Sequence, residues 1–229
     1  MPPFEHVFET WSNGVPVSLL DIILWPFNTP AVTFAGVTTS WGEVAGFVTG
    51  ALCVWLVARQ NPWNWPIGIL NNLAFLVLFA TSGLYADSWL QVVYIALALY
   101  GWWAWLRGGE DHSALPVSRT TATQWWALLA AGVAGTLLLV WVLTSFTSST
   151  VPWADSATTA LSLLATWGQT RKKVECWWLW IAADVIYVPL YAYKDLWLTS
   201  ILYVGFMALC VLGLRNWTKA LRADERVAA

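Results

Sequence analysis

Apolar residues gather in seven stretches along the chain, and the charged residues fall almost entirely between them. Each stretch apart from the fifth is close to the roughly 20 residues that an α-helix needs to cross about 30 Å of hydrocarbon. The fifth is short and polar, so we expect it to face protein rather than lipid. The stretches cover about Trp41 to Ala58, Trp65 to Gly83, Trp89 to Leu106, Trp125 to Phe146, Ala157 to Gly168, Trp177 to Tyr193 and Leu196 to Leu214. The pattern predicts an all-α polytopic membrane protein with seven transmembrane helices.

The composition agrees with a membrane protein, because hydrophobic residues make up 59% of the chain and charged residues only 10%. A soluble globular domain has about 25% charged residues. The net charge of −2 gives no basic surface for nucleic acid. The three cysteines lie in or beside apolar stretches without metal-ligand spacing, so we predict neither a metal site nor a cofactor.

Basic residues occupy alternate gaps between the stretches. Ten of the eleven Lys and Arg residues follow the first, third, fifth or seventh stretch. Because an excess of Lys and Arg marks cytoplasmic loops, these exits should face the cytoplasm. We therefore predict a multi-pass protein of the inner (cell) membrane with a cytoplasmic C-terminus.

Residues 1–40 are harder to interpret. The part from Val17 to Phe34 is apolar but interrupted by Asp21, Pro26, Asn28 and Pro30. We interpret it as an interfacial or partly inserted helix, and an eighth spanning helix remains an open alternative. A cleaved signal peptide is not expected, because no basic segment precedes it.

The chain contains an internal repeat. A shift of 112 residues superimposes Glu43 on Asp155 and Arg59 on Arg171. In the second helix a shift of 113 places Trp65 on Trp178 and Asn71 on Asp184, and in the third a shift of 109 places Tyr94 on Tyr203. We predict two parallel three-helix repeats, residues 41–107 and 151–217, joined by a cytoplasmic loop and linker helix within 108–150 and followed by a cytoplasmic tail, 218–229. This 3+1+3 arrangement is that of SWEET-type transporters.

Polar and aromatic side chains form stripes at helical spacing on four of the predicted helices. An unpaired polar group is costly in hydrocarbon, so such stripes should face the protein interior, where carriers bind their substrates near the bilayer midplane. The candidate substrate-binding residues are Trp177, Trp180, Asp184, Tyr187, Gln91, Tyr94, Asn71 and Asn72. The candidate gating or supporting residues are Trp102, Thr159 and Glu43.

Each candidate also has a structural interpretation. A tryptophan in a membrane helix commonly faces lipid or the core, and Asn71 and Gln91 could serve as hydrogen bonds between helices. Glu43 lies near the outer end of its helix and could simply be solvated. Asp184 is the strongest candidate, because a carboxylate near the middle of a span is expensive unless it has a function or a partner.

The residue types indicate the chemistry of the ligand. Trp and Tyr rings favour a flat aromatic ring, and the amides of Asn71, Asn72 and Gln91 can bond hydroxyls or a carboxamide. Asp184 would attract a positive charge on the ring. A cationic, planar and hydroxylated metabolite satisfies all three conditions.

Two segments resemble signatures of the PnuC-type vitamin transporters. One is the third helix, with Gln91, Tyr94 and the run Tyr100-Gly101-Trp102-Trp103-Ala104-Trp105. The other is Glu175-Cys176-Trp177-Trp178-Leu179-Trp180, which is similar to the Glu-x-Trp-x-x-Trp motif of the sixth helix. The resemblance covers about residues 41 to 217. The chain departs from it at Asp184, where nicotinamide riboside carriers typically have Asn.

The resemblance implies uptake of nicotinamide riboside by facilitated diffusion, with a cytoplasmic kinase trapping the product by phosphorylation without forming a stable complex with the carrier. Thiamine or riboflavin is the alternative cargo, and proton coupling through Asp184 stays open. A homo-oligomer is compatible with the resemblance. Outside the transporters, a membrane enzyme would need a nucleophile or metal set that the sequence lacks, and a receptor or structural subunit would not need polar stripes from both repeats.

Overall fold

The computed structural model describes residues 29–34, 37–81, 85–147, 150–193 and 197–227. Within these residues the chain forms a β-hairpin followed by seven α-helices. Strand β1 is Pro30–Phe34 and β2 is Val37–Ser40. The helices are α1 Trp41–Ala58, α2 Asn64–Thr81, α3 Tyr85–Arg107, α4 Ala122–Phe146, α5 Pro152–Thr170, α6 Cys176–Tyr193 and α7 Trp197–Val227. The described residues divide into two compact units, with the boundary between Val48 and Thr49.

The hairpin corrects the prediction for the N-terminal segment. Strands β1 and β2 are antiparallel, with Thr33 opposite Thr38 and their hydroxyls 3.0 Å apart. The predicted interfacial or inserted helix is therefore wrong for Pro30–Phe34; the rest of it lies outside the described residues. The physical reason is local, since Pro30 lacks an amide donor and the following β-branched residues Val32 and Thr33 favour extended backbone.

Three of the helices are long and apolar enough to cross a membrane, Asp87–Arg107, Ala122–Phe146 and Trp197–Arg226. Val44–Ala58 and Asn64–Ala80 are shorter apolar helices. Helix α5 is more polar and buries a row of small and hydroxyl-bearing side chains, among them Ser156, Thr158, Ser162 and Thr166. This agrees with the expectation that the fifth helix faces protein.

The gaps that carry the basic residues meet at one end of the second unit. Lys172 Nζ lies 3.5 Å from Gln60 Oε1, which joins the exits of α1 and α5. The backbone of Ser118, after α3, donates to the carbonyl of Lys172 at 3.0 Å. Trp217 of α7 donates from Nε1 to the carbonyl of Val57 at 2.9 Å. We call this the basic end; the sequence predicted that these four exits share one side.

Equivalent contacts recur 112 residues apart. The rings of Trp65 and Trp105 are 5.4 Å apart at 87°, and those of Trp177 and Trp217 are 5.4 Å apart at 87°. The same spacing relates the hydroxyl bonds of Ser88 to Leu76 and of Ser200 to Val188. It also relates Gln60 and Lys172, which both have positive φ, 55° and 47°. The two helix triplets, α1–α3 and α5–α7, therefore share their local packing in one constant register.

This constant register corrects the shifts of 113 and 109 that were inferred from the sequence for the second and third helices. Trp65 corresponds in its contacts to Trp177, which is 1% exposed, and not to Trp178, which is 57% exposed. The sequence comparison matched similar residue types. The contacts instead show which residue of each helix lies on the buried side, and this is what the two triplets have in common. In the corrected register Asp184 corresponds to Asn72, and Tyr203 corresponds to Gln91.

Helix α4 packs on α5 alone among the larger helix contacts and buries none of its described residues. Thr121 caps its start, accepting from the amide of Gln124 while its own amide donates to the Gln124 side chain. Gly132 and Gly135 face Leu164 and Ala160 of α5, but none of the described residues of α4 is buried. An apolar helix exposed along its length is one whose solvent is lipid.

Candidate functional site

A cavity of about 400 Å³ lies between the two helix triplets. Its volume falls in the range of about 300–1,000 Å³ typical of small-molecule sites. The lining comes from both triplets, from α1, α2 and α3 on one side and α5, α6 and α7 on the other. The lining side chains include Asn64, Trp65, Asn71, Asn72, Gln91, Tyr94, Gln169, Trp177, Trp180, Asp184, Tyr203, Phe206 and Cys210.

Asp184 is the one charged side chain among the lining residues that the structure describes. It is 4% exposed, and its Oδ2 lies 3.6 Å from Sγ of Cys210 on α7. A thiol is a weak donor, so this contact compensates little of the cost of burying a carboxylate. The arrangement leaves the carboxylate able to attract a cation in the cavity.

Amide side chains lie on the opposite wall. Asn72 holds the position that Asp184 holds in the second triplet, so the cavity is charged on one side and neutral on the other. Asn71 donates from Nδ2 to the hydroxyl of Thr49 on α1. This bond between helices supports the structural interpretation of Asn71, although the residue also lines the cavity.

Aromatic rings form much of the remaining wall. Trp180 Nε1 donates to Oε1 of Gln169 at 3.3 Å, which limits rotation of the indole. On α7, Tyr203 lies 5.6 Å from Phe206 in edge-on contact. Aromatic pairs at such distances are rigid apolar surfaces suited to stacking against a planar ring.

Four tryptophans close the cavity at the basic end. Trp105 and Trp217 meet at 5.8 Å across the two triplets, and each is in edge contact with Trp65 or Trp177, which line the cavity. We call these four residues the tryptophan floor. Gly101 lets Trp65 pack directly on α3, because a Cβ there would lie 2.5 Å from the ring.

Two hydrogen bonds tie the tryptophan floor to the first helix of the opposite triplet. Trp105 Nε1 donates to the carbonyl of Gln169 at 2.9 Å, and Trp217 Nε1 donates to the carbonyl of Val57 at 2.9 Å. In contrast, the buried Nε1 groups of Trp65 and Trp177 have no hydrogen-bond partner among the described residues. The floor thus has two fixed donors and two buried donors without acceptors.

Lys172 supports the floor from outside the spans. It is 6% exposed, and its ammonium lies 4.7 Å from the Trp105 ring centre. Burial lowers the pKa of the Lys172 ammonium, since desolvation disfavours its charged form. A cation–π contact and one amide oxygen are the contacts that offset this cost.

The structure brings most of the predicted binding residues into one cavity. Trp177, Trp180, Asp184, Gln91, Tyr94, Asn71 and Asn72 all line it. Tyr187 does not, but its ring lies 4.6 Å from that of Tyr203, which does. Two predicted gating residues lie away from the cavity: Trp102 is 37% exposed, and the Thr159 hydroxyl donates to the backbone of Asp155. The Glu43 side chain lies outside the described residues.

Several lining residues were absent from the predicted site, notably Gln169, Tyr203, Trp65 and Cys210. The sequence contained a signal for Gln169, because Asp155, Thr159, Ser162, Thr166 and Gln169 recur at steps of three and four along the fifth helix. The last two members of this stripe line the cavity. Tyr203 had a signal too, because the constant 112-residue register matches it to Gln91.

A larger groove of about 660 Å³ lies between α4 and α5. Trp126, Leu129 and Leu161 are among its lining residues, and almost all of its surface is apolar. Without converging polar groups it cannot orient a hydroxylated ligand, so we assign the candidate site to the smaller cavity.

Comparison with known proteins gives a consistent family. The sequence profile described as "nicotinamide mononucleotide transporter" matches residues 40–219. The riboflavin/roseoflavin transporter RibM of Streptomyces davaonensis is 31% identical over 191 residues, covering 81% of this chain and 88% of RibM. The nicotinamide riboside transporter PnuC of Escherichia coli is 28% identical over 214 residues, covering 82% of this chain and 89% of that protein.

A solved structure is also similar. The crystal structure of the vitamin B3 transporter PnuC superimposes with a TM-score of 0.63 at 26% sequence identity, over 80% of this chain and 83% of the other. The similarity therefore extends over most of the chain in both sequence and structure.

Proposed function

Because the chain belongs to the nicotinamide mononucleotide transporter family, which includes the PnuC carriers, we propose that it takes up nicotinamide riboside through the cavity between its helix triplets. The observation that carries this proposal is Asp184, a buried carboxylate whose cavity contains no basic side chain among the described lining residues. The pyridinium of nicotinamide riboside supplies the missing positive charge. Its ribose hydroxyls and carboxamide match the amides of Asn72 and Gln91.

Aromatic residues would hold the ring. Trp180, fixed by Gln169, and Tyr203 offer flat surfaces on the same side of the cavity as Asp184. We propose that the ring stacks there and that the ribose extends toward Asn71 and Asn72. Trp177, Tyr94 and Gln91 complete the substrate contacts, and Tyr187 supports Tyr203 from behind.

Riboflavin is the second candidate substrate. RibM, a riboflavin/roseoflavin transporter, is 31% identical to this chain over most of both proteins. A neutral three-ring system would use the aromatic walls but gain little from Asp184. Thiamine, which carries a cationic thiazolium, would use Asp184 as nicotinamide riboside does.

The proposed mechanism is facilitated diffusion by alternating access. The two triplets form parallel repeats joined by α4, and they rock about the ligand. The tryptophan floor closes the cavity toward the basic end, so opening in that direction must break the bonds of Trp105 to Gln169 and of Trp217 to Val57. In the inner membrane the basic end and the C-terminus face the cytoplasm. A cytoplasmic kinase then phosphorylates the product and prevents its return.

Ligand-dependent thermal stabilisation of the detergent-purified protein tests this proposal. A ligand that binds the folded state raises the unfolding temperature by mass action. We expect nicotinamide riboside to stabilise the wild type, with riboflavin, thiamine and uridine as comparison ligands. Stabilisation by riboflavin alone would indicate that riboflavin is the substrate. If none of these compounds stabilised the protein, a vitamin site in the cavity would be refuted.

A further inference from the structure

At the basic end, the third helix of each triplet packs on the first helix of the other. We call the contact of α3 with α5 the first seam and the contact of α7 with α1 the second seam. Their hydrogen bonds are equivalent, Trp105 to Gln169 in the first and Trp217 to Val57 in the second, both at 2.9 Å. The two seams can therefore be compared residue by residue at a spacing of 112.

The seams differ in what surrounds their arginine. In the first seam the guanidinium of Arg171 lies 5.4 Å from the Tyr100 ring centre and 5.9 Å from that of Trp167. In the second seam Arg59 lies 4.9 Å from the Trp55 ring. Leu212 stands 112 residues after Tyr100, so the second seam lacks the second aromatic ring.

A cleft lies beside Leu212 and Arg59, where the second seam has no counterpart of the Tyr100 ring. It has a volume of about 440 Å³ and is lined by Trp55, Arg59, Gln60, Leu209, Leu212 and Asn216, besides Ala58. Leu209 and Leu212 lie on the membrane side of Asn216 along α7. The cleft therefore has an apolar wall that continues into the span and a cationic, amide-bearing mouth.

The mouth is suited to a phosphate group. A guanidinium is a favoured partner of phosphate oxygens, and the amide of Asn216 already donates to the Ala58 carbonyl at 3.3 Å, which fixes its place beside Arg59. The described lining contains no acidic side chain that would neutralise Arg59. The next groove along α7 adds Arg215, Lys219 and Arg222, so the surrounding potential is positive.

We propose that the cleft of the second seam binds an anionic phospholipid, with its phosphate on Arg59 and an acyl chain along Leu209 and Leu212. The lipid takes the place that Tyr100 holds in the first seam. Basic clefts between membrane helices bind anionic head groups in this way. Since this seam must open during the proposed transport cycle, the bound lipid stabilises the state closed at the basic end.

The test uses full-length protein, delipidated in detergent and titrated with phosphatidylglycerol, phosphatidylcholine or inorganic phosphate, with bound lipid measured by native mass spectrometry. Arg59→Gln removes the phosphate partner. Leu212→Tyr keeps Arg59 but installs the ring of the first seam and so fills the cleft. Arg171→Gln is the matched control, because it makes the same change in the seam where the Tyr100 ring lies beside the arginine.

We expect the wild type and Arg171→Gln to retain phosphatidylglycerol in preference to phosphatidylcholine. Arg59→Gln should bind it about tenfold more weakly, the loss expected for one charge-assisted contact. Leu212→Tyr should also weaken binding roughly tenfold, because its ring would occupy the space of the acyl chain. Equal retention by Arg59→Gln and Leu212→Tyr would overturn the proposal even if one of them folded poorly. Competition by inorganic phosphate alone would assign the cleft to a free anion, and a change of oligomeric mass without bound lipid would assign it to a second copy of the chain; either result also overturns it.

Discussion

Trp180 and Gln169 are joined by a hydrogen bond of 3.3 Å from the indole Nε1 to the amide Oε1. The backbone carbonyl of the same Gln169 accepts from Trp105 at 2.9 Å. One residue of α5 therefore contacts both the cavity wall and the tryptophan floor. The equivalent residue of the first triplet is Val57, whose side chain cannot form the first of these bonds, so this link exists on one side of the cavity.

Replacing Gln169 by Leu should weaken substrate binding without breaking the floor. The substitution removes the acceptor of Trp180 but keeps the carbonyl that binds Trp105. Leaving a partly buried indole N–H unpaired costs about 1–3 kcal/mol, so we expect the Kd for the transported vitamin to rise roughly tenfold. Calorimetric titration of purified protein measures it.

Thr166→Val is the matched control for Gln169→Leu. Thr166 lines the same cavity one turn earlier on α5, but its hydroxyl donates to its own helix, to the carbonyl of Ser162 at 2.8 Å. We expect this variant to bind as the wild type does. Equal weakening by both variants would show that any change to α5 disturbs the cavity, and would contradict a positioning role for Gln169.

Asp184→Asn should discriminate between charged and neutral ligands. The change is isosteric and removes only the negative charge, so affinity for the pyridinium of nicotinamide riboside should fall about tenfold or more. Affinity for neutral riboflavin should change little. Cys53→Ala, also in the cavity lining, serves as the control with unchanged affinities. If Asp184→Asn lowered the affinity for both vitamins equally, the carboxylate would not be recognising the positive charge of nicotinamide riboside.

Gly213→Ala should destabilise the floor from the side of α7. A Cβ at this position would overlap the Trp177 ring, whereas a Cβ at Gly205, two turns earlier, would meet nothing within 4 Å. We expect Gly213→Ala to cost about 1–3 kcal/mol and lower the unfolding temperature. Gly205→Ala should be neutral or slightly stabilising, because alanine is the better helix former. A similar unfolding temperature for both variants would contradict this packing.

Lys172 should make the free energy of unfolding increase with pH in the alkaline range. Its folded-state pKa is lowered from the ordinary value of 10.5 by desolvation. Between the lowered pKa and 10.5 the unfolded state binds more protons than the folded state, so stability rises with pH in that window. Thermal unfolding of Lys172→Gln should lack this rise, while exposed Lys219→Gln should keep it. A rise that persists in Lys172→Gln would assign the effect to another group.

The sequence was sufficient for the class of protein and the seven helices, and seven of its eight proposed binding residues line the cavity. These residues could be found because hydrocarbon strongly penalises polar side chains, which makes stripes such as the one through Trp180 and Asp184 informative. The sequence was less informative about which side of each helix faces the cavity and how far along the helix the cavity extends. Trp177 and Trp178 match Trp65 equally well in residue type, and only the packing shows that Trp177 is the buried one. Trp102 follows the stripe of α3 but lies 37% exposed, since a stripe does not show where along the helix the cavity ends.

The N-terminal segment shows a different limit. Val17 to Phe34 is apolar enough for a helix, yet Pro30–Phe34 pairs with Val37–Ser40 as a strand. A short apolar run with prolines does not specify helix or strand by periodicity alone. Gln169 shows a third limit, because its stripe was visible but its bonds to Trp180 and to Trp105 depend on contacts between helices that are distant in sequence.

Uptake of radiolabelled nicotinamide riboside into liposomes that contain only this protein tests the central claim most directly. The account predicts that the vitamin equilibrates across the membrane without ATP or an ion gradient, that the internal concentration stops at the external one, and that Asp184→Asn slows the flux. If nicotinamide riboside, riboflavin and thiamine all entered no faster than they enter protein-free liposomes, the claim that the cavity between the triplets is a transport pathway would be contradicted.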